Sequence, residues 1–139
     1  MANIDKNIVL LVEDDEVDIL STQRAFISAE ISYDLEIVNN GEEALSYLRN
    51  SKNKRPTLIL LDLNMPRMNG IELLKIIKND TVLKKIPIIV LTSSKMDQDR
   101  IESYEFSVAG YIVKPVSFDK LVQSFKIIND YWNLMELPP

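Results

Sequence analysis

Four stretches of the chain, residues 7–12, 57–61, 87–91 and 110–113, are nearly continuous in Ile, Val and Leu. Runs this short and this apolar suit parallel strands covered on both faces. A fifth run, Asp34-Leu35-Glu36-Ile37-Val38, is half polar and is expected at a sheet edge. Helical patterns fill the intervals. The first runs from Asp15 to about Ser28. The turn Asn39-Asn40-Gly41 precedes a second, from Glu42 to about Arg49. Gly70 precedes a third, Ile71 to Ile77, and a more polar fourth is expected from Met96 to about Ser107. Ser117 is read as the cap of the last helix. There Phe118, Leu121, Phe125, Ile128 and Trp132 recur at steps of three and four and line one face.

Five strands alternating with five helices predict a parallel α/β sheet with right-handed crossovers. The short length fits the flavodoxin-like strand order 2-1-3-4-5, a three-layer sandwich whose switch point lies between the first and third strands. No repeat, low-complexity segment or linker divides the chain. A single domain over 1–139 is expected, with its core at about 7–130 and a short tail at 131–139.

Composition narrows the chemistry. At 139 residues, with 46% hydrophobic and 27% charged positions, the chain has the make-up of an ordinary soluble domain. Its net charge of −5 argues against sequence-independent nucleic-acid binding, which relies on Lys and Arg. No apolar stretch reaches membrane-spanning length and the first residues lack the core of a signal peptide, so a cytoplasmic protein without a membrane partner is expected. The chain has no Cys and no His. Disulfides, thiolate nucleophiles, zinc–sulfur sites and Ser-His-Asp arrangements are therefore excluded. Carboxylates, hydroxyls and amines remain.

Those groups stand at the ends of the apolar runs. Glu13 and Asp14 follow the first, Asp62 follows the run at 57–61, Thr92 the run at 87–91, and Lys114 the run at 110–113. In a parallel sheet all five gather at the carboxyl edge, where open α/β sheets place ligands. Carboxylates about 4 Å apart repel by roughly 4 kcal/mol per pair at an effective dielectric of 20. Either one stays protonated or a cation sits among them. With oxygen ligands alone the cation would be hard, and Mg²⁺ (or Mn²⁺) suits a site that also receives phosphate. A backbone carbonyl near Asn64 and waters would complete its coordination. Acids after a strand also have an ordinary explanation as helix caps, and Asp15, Glu16 and Asp18 are assigned to that role.

Asp62, an expected exposed carboxylate on a firm apolar strand, has the chemistry of a phosphoryl acceptor. Lys114 would supply a point charge for a phosphoryl oxygen and Thr92 a hydroxyl donor for another. Pro115 holds Lys114 extended. Alone, each has an everyday reading as an exposed lysine or a strand-end threonine.

In order and position, Glu13-Asp14, Asp62, Thr92 and Lys114-Pro115 resemble the CheY-like receiver domain of two-component response regulators. The resemblance covers roughly residues 7 to 130. It implies that Asp62 is the phosphoacceptor, that Glu13, Asp14, Asp62 and the Asn64 backbone carbonyl hold the metal, and that Lys114 contacts the phosphoryl group. It makes Thr92 and Tyr111 the switch pair, and a sensor histidine kinase the phosphoryl donor. The protein would be a switch that assists its own phosphorylation and dephosphorylation, not a turnover enzyme. Asn64 and Ser94, two positions beyond Asp62 and Thr92, would tune the lifetime of the product. Three segments, Met65 to Gly70, Lys85 to Ser94 and Val116 to Lys120, together with Tyr131-Trp132, resemble single-domain receivers that partner bacterial phytochrome-type kinases. With only 133–139 remaining, no output domain is expected, so the signal would leave through contacts with a downstream protein. A homodimer through the face of the fourth helix, fifth strand and fifth helix is a further expectation.

Two alternatives share this fold or chemistry. An aspartate-nucleophile phosphatase usually resembles Asp-x-Asp, whereas position 64 is Asn, which removes the general acid/base. A receiver-fold scaffold that is never phosphorylated would not need the full residue set. A flavodoxin is disfavoured because four consecutive acids, Glu13 to Glu16, would repel the flavin phosphate. A phosphate-binding NTPase is disfavoured because no Gly-x-x-x-x-Gly-Lys-Ser/Thr run exists.

Overall fold

The structure, a computed structural model, describes residues 7–63, 68–93, 95–103 and 105–134. Ten principal elements alternate: β1 (Ile8–Val12), α1 (Glu16–Ser28), β2 (Asp34–Val38), α2 (Gly41–Arg49), β3 (Leu58–Asp62), α3 (Gly70–Lys78), β4 (Ile88–Thr92), α4 (Lys95–Ser103), β5 (Gly110–Val113) and α5 (Phe118–Leu134). The strands form one sheet in the order β2-β1-β3-β4-β5, with every pairing parallel. The flavodoxin-like order expected from the sequence is therefore present, with the order in which strands are added reversing between β1 and β3.

The chain falls into two compact units, crossing between them at Asp14–Asp15, Ser32–Tyr33 and Lys114–Pro115. The first unit holds the sheet with α2, α3 and α4. Its core gathers Leu10, Val12, Ile59, Leu61, Ile88 and Val90 from one sheet face with Ala44, Leu45, Ile71, Leu74, Ile77 and Ile101 from the helices. The alternate residues Val9, Leu11, Leu58, Leu60, Ile89 and Leu91 are buried as well. Burial on both faces is why these strands carry unbroken apolar runs rather than an alternating pattern.

The second unit holds α1 and α5, which pack together with Phe26 edge-to-face on Phe125, ring centroids 4.8 Å apart. Asp15 caps α1 by accepting hydrogen bonds from the backbone N–H groups of Val17 and Asp18. At the far end Glu30 has φ 56°, its N–H reaches Ile27 O, and Ile31 N–H reaches Phe26 O. This is a Schellman stop with glutamate where glycine is usual.

Three expectations need correction. The fourth helix ends at Ser103, not near Ser107. Its terminus is another Schellman stop, with Glu105 at φ 58°, Glu105 N–H on Glu102 O and Phe106 N–H on Ile101 O. No glycine marks it. Secondly, β5 lies at the edge that the strand order gives it, but its apolar run is not covered on both faces, with Val113 56% exposed. Thirdly, Phe118 shares the periodic face of the last helix with Leu121 and Phe125, yet it is 43% exposed while those two are buried. A short 3-10 turn at Leu83–Lys85 follows α3, with Asp80 accepting from the N–H groups of Val82 and Leu83. Among the described residues no helix is long and apolar enough to cross a membrane.

Candidate functional site

The carboxyl ends of β1 and β3 lie side by side, since Val12 pairs with Leu61. Glu13 continues β1 by one residue, because its N–H donates to Val38 O at 2.9 Å. Its own carbonyl accepts from Asn39 Nδ2 at 3.1 Å. That backbone clamp aims the Glu13 side chain into the sheet edge, where the residue is only 1% exposed. Asp14 is exposed. Carboxylate oxygens of Glu13, Asp14 and Asp62 all lie within 4.8 Å of one another.

Asp62 is the last residue of β3 and is 4% exposed. This corrects the expectation of an exposed carboxylate: the residue is lodged in the sheet rather than set out on top of it. Its flank is built by close approach. Gly70 N–H donates to Leu63 O, and a Cβ at Gly70 would meet Leu63 Cα at 2.6 Å and Asp62 O at 2.8 Å. Only glycine lets α3 begin against the strand end. The helix is fixed there by a capping box, in which Asn69 and Glu72 each accept from the other's backbone N–H. Asn40 likewise caps α2 through Glu43 N–H. Both caps carry the Asx-x-x-Glu spacing, a signal that goes beyond the turn expected at Asn39-Asn40-Gly41 and the Gly70 start expected for the third helix.

Thr92 closes β4 and is fully buried, and its carbonyl accepts from Lys114 N–H at 2.8 Å. That bond carries the β4–β5 ladder past Val113 and sets the origin of the Lys114 side chain. The ammonium reaches across the edge to lie 3.3 Å from Glu13 Oε1 and 3.5 Å from Asp62 Oδ1. A proton or a bound cation could offset the three acids. The structure adds a third answer: the chain's own lysine sits between two of them. Tyr111, on β5 opposite Val90, is half-buried and packs against the core. Burial, with a smaller push from Glu102, raises its phenol above the ordinary value of 10.0. Asn64 and Ser94 lie outside the described residues.

The donor set fits a hard divalent cation: three carboxylates and no nitrogen or sulfur ligand. Buried acids, an ammonium and a buried hydroxyl at the switch point of a parallel sheet are the fittings of a phosphoryl site.

Residues 9–126 match the response regulator receiver domain, and the chain belongs to that family. It is similar to the probable methanogenesis regulatory protein FilR2 of Methanothrix harundinacea, 37% identical over 92% of this chain and 84% of the relative. Response regulator Rcp1 of Synechocystis is 36% identical over 90% of this chain and 88% of its own length. Among solved structures, the Mn²⁺-bound form of Rcp1 aligns with a TM-score of 0.81 at 36% identity, covering 96% of this chain and 99% of the other. The phosphorylated cyanobacterial phytochrome response regulator RcpA aligns with a TM-score of 0.81 at 38% identity, with the same coverage. Receiver domains bind a divalent metal and are phosphorylated by histidine kinases, so the acidic cluster here is of the expected kind.

Proposed function

We propose that the chain is a phosphoacceptor switch in which Asp62 takes a phosphoryl group from a phosphohistidine of a sensor kinase. One observation carries this reading: in a receiver-family chain, Asp62 shares a sheet edge with Glu13 and Asp14 and has the Lys114 ammonium 3.5 Å from its Oδ1. An Asp62 carboxylate oxygen attacks phosphorus, the phosphorus–nitrogen bond breaks, and its electron pair returns to the imidazole of the donor. The product is an acyl phosphate on Asp62. Glu13, Asp14 and Asp62 would hold Mg²⁺ or Mn²⁺, which when bound offsets the negative charge on the phosphoryl oxygens. Lys114 supplies a second positive charge to those oxygens, and the Thr92 hydroxyl donates to a third position. Once these contacts exist they favour one packing of β4, α4 and β5 over another, and Tyr111 moves with that shift.

The protein acts once per phosphoryl group received and is not a turnover enzyme. Its similarity to Rcp1 and to the phytochrome response regulator RcpA supports a phytochrome-type kinase as the donor. Acetyl phosphate with Mg²⁺ is expected to add one phosphoryl group by intact mass, with none on Asp62→Asn. Equal labelling of that variant would overturn the assignment of the acceptor. Sustained hydrolysis of a phosphate ester, lost in Asp62→Asn, would favour a phosphatase instead.

A further inference from the structure

The turn between β2 and α2, Val38-Asn39-Asn40-Gly41, is tied to both sides of the acidic edge without contributing a carboxylate to it. On one side, Val38 O accepts from Glu13 N–H at 2.9 Å and Asn39 Nδ2 donates to Glu13 O at 3.1 Å. On the other, Gly41 N–H donates to Met68 O at 3.1 Å. A Cβ at Gly41 would meet Met68 Cγ at 2.6 Å and Met68 O at 2.8 Å, so only glycine permits this approach. Met68 lies between Asp62 and α3 in the chain, just ahead of Gly70, whose own N–H donates to Leu63 O. All of these residues belong to the first of the two units. We propose that this turn sets the cation affinity of the acidic edge, with Asn39 as its positioning residue. The proposal rests on the reading of Glu13, Asp14 and Asp62 as ligands for a divalent cation.

Glu13 O belongs to the peptide that leads into Asp14. Holding that oxygen fixes the plane of the peptide, and with it the Cα from which the Asp14 side chain starts. Asp14 depends on this more than its companions do. Glu13 and Asp62 are buried and confined by the groups packed around them, whereas Asp14 is exposed. Its carboxylate still lies within 4.8 Å of theirs, the spacing that lets one ion reach all three. A small octahedral cation tolerates little error in where its ligands stand. Asn39 is itself held in place. Its N–H donates to Glu43 Oε1 at 2.9 Å, and the next residue, Asn40, accepts from Glu43 N–H at 2.9 Å. Both bonds fasten the turn to the first turn of α2, so the Asn39 amide is presented from a fixed base. Groups that orient metal ligands without touching the ion commonly govern affinity by about 10–100-fold. Asn39 is exposed, so removing its amide opens no cavity in the core.

The test is Mn²⁺ titration of the full chain, with the free ion followed by electron paramagnetic resonance, for wild type, Asn39→Ala and Asn53→Ala. Asn53 Nδ2 donates to Tyr47 O at 3.0 Å, a bond of the same kind at the far end of α2, so its loss serves as the control for stability alone. Asn39→Ala is expected to raise the Mn²⁺ dissociation constant about tenfold or more, while Asn53→Ala stays within about twofold of wild type. A second readout separates positioning from general damage. Labelling of Asp62 by acetyl phosphate in Asn39→Ala should need about tenfold more Mg²⁺ for its half-maximal rate, yet come within about threefold of the wild-type rate at saturation. Unchanged Mn²⁺ affinity in Asn39→Ala, with wild type binding, would overturn the proposal and leave the three ligands standing. So would an equal loss in Asn53→Ala, or a labelling rate that stays low at every Mg²⁺ concentration. A wild type that binds no Mn²⁺ at millimolar concentration would remove the three ligands and this proposal together.

Discussion

Replacing Lys114 by Met tests the charge balance on which the acidic edge depends. At an effective dielectric of 20, an ammonium 3.3 Å from Glu13 Oε1 and 3.5 Å from Asp62 Oδ1 gains about 5 kcal/mol from each acid. Three carboxylates with oxygens no more than 4.8 Å apart repel by at least about 3.5 kcal/mol per pair on the same scale. The two attractions together, about 10 kcal/mol, match the three repulsions. Methionine keeps the length and the apolar stem but removes the charge. Deleting one partner from a buried ion pair costs about 3–5 kcal/mol. The Lys114 side chain is 24% exposed, so water recovers part of that, and a loss of about 3 kcal/mol is expected. For 139 residues this corresponds to a melting point lower by about 10 °C in EDTA. Saturating Mg²⁺ should then raise the melting point of Lys114→Met more than that of the wild type, where the cation and the ammonium serve the same acids. Thermal melts of both proteins, with EDTA and with Mg²⁺, provide the four values required. A variant melting within about 2 °C of wild type in EDTA would refute the balance, as would an equal Mg²⁺ increment in both proteins.

Gly70→Ala should lower stability by about 2–3 kcal/mol, because the new methyl meets the backbone of Leu63 at 2.6 Å; an unchanged denaturant midpoint would show that α3 can back away. Glu30→Gly should raise stability by about 0.5–1 kcal/mol, since φ 56° costs an L-residue more than glycine loses on ordering; a lower melting point would contradict this. The pH dependence on the alkaline side follows from four groups. Lys78 is lowered from 10.5 by burial, so between its folded value and 10.5 the unfolded chain binds more protons and stability rises with pH. Tyr33, Tyr47 and Tyr111 are raised above 10.0 by burial, so beyond pH 10.0 the folded chain keeps protons that the unfolded chain releases, and stability falls. Urea melts from pH 8 to 11 should show the first trend flattened in Lys78→Met and the second reduced in Tyr111→Phe.

Legibility in the sequence followed the physics of each element. The strand order and the convergence of Glu13, Asp14, Asp62, Thr92 and Lys114 could be read because buried parallel strands force unbroken apolar runs, and a run fixes where its next residue emerges. Helix ends were harder. The end of α1 near Ser28 was legible, but α4 stops short with Glu105 in the left-handed region, where propensity rules look for glycine. The edge position of β5 followed from the strand order, but its exposure did not, because Tyr111-Ile112-Val113 has the composition of a strand covered on both faces. The hardest feature to foresee was the pairing within the site. Spacing brought Lys114 to the same edge as the acids, but only side-chain placement shows that it crosses β4 to lie between β3 and β1. That placement alters the logic of the proposed chemistry. Three acids no longer require a bound cation for the fold to stand, since the lysine already offsets most of their repulsion. On the proposed reading, Glu13, Asp14 and Asp62 would hold a divalent ion that supplies that offset, and the Lys114 ammonium would then be available to the phosphoryl oxygens. Metal binding and phosphoryl recognition would then be coupled through one side chain.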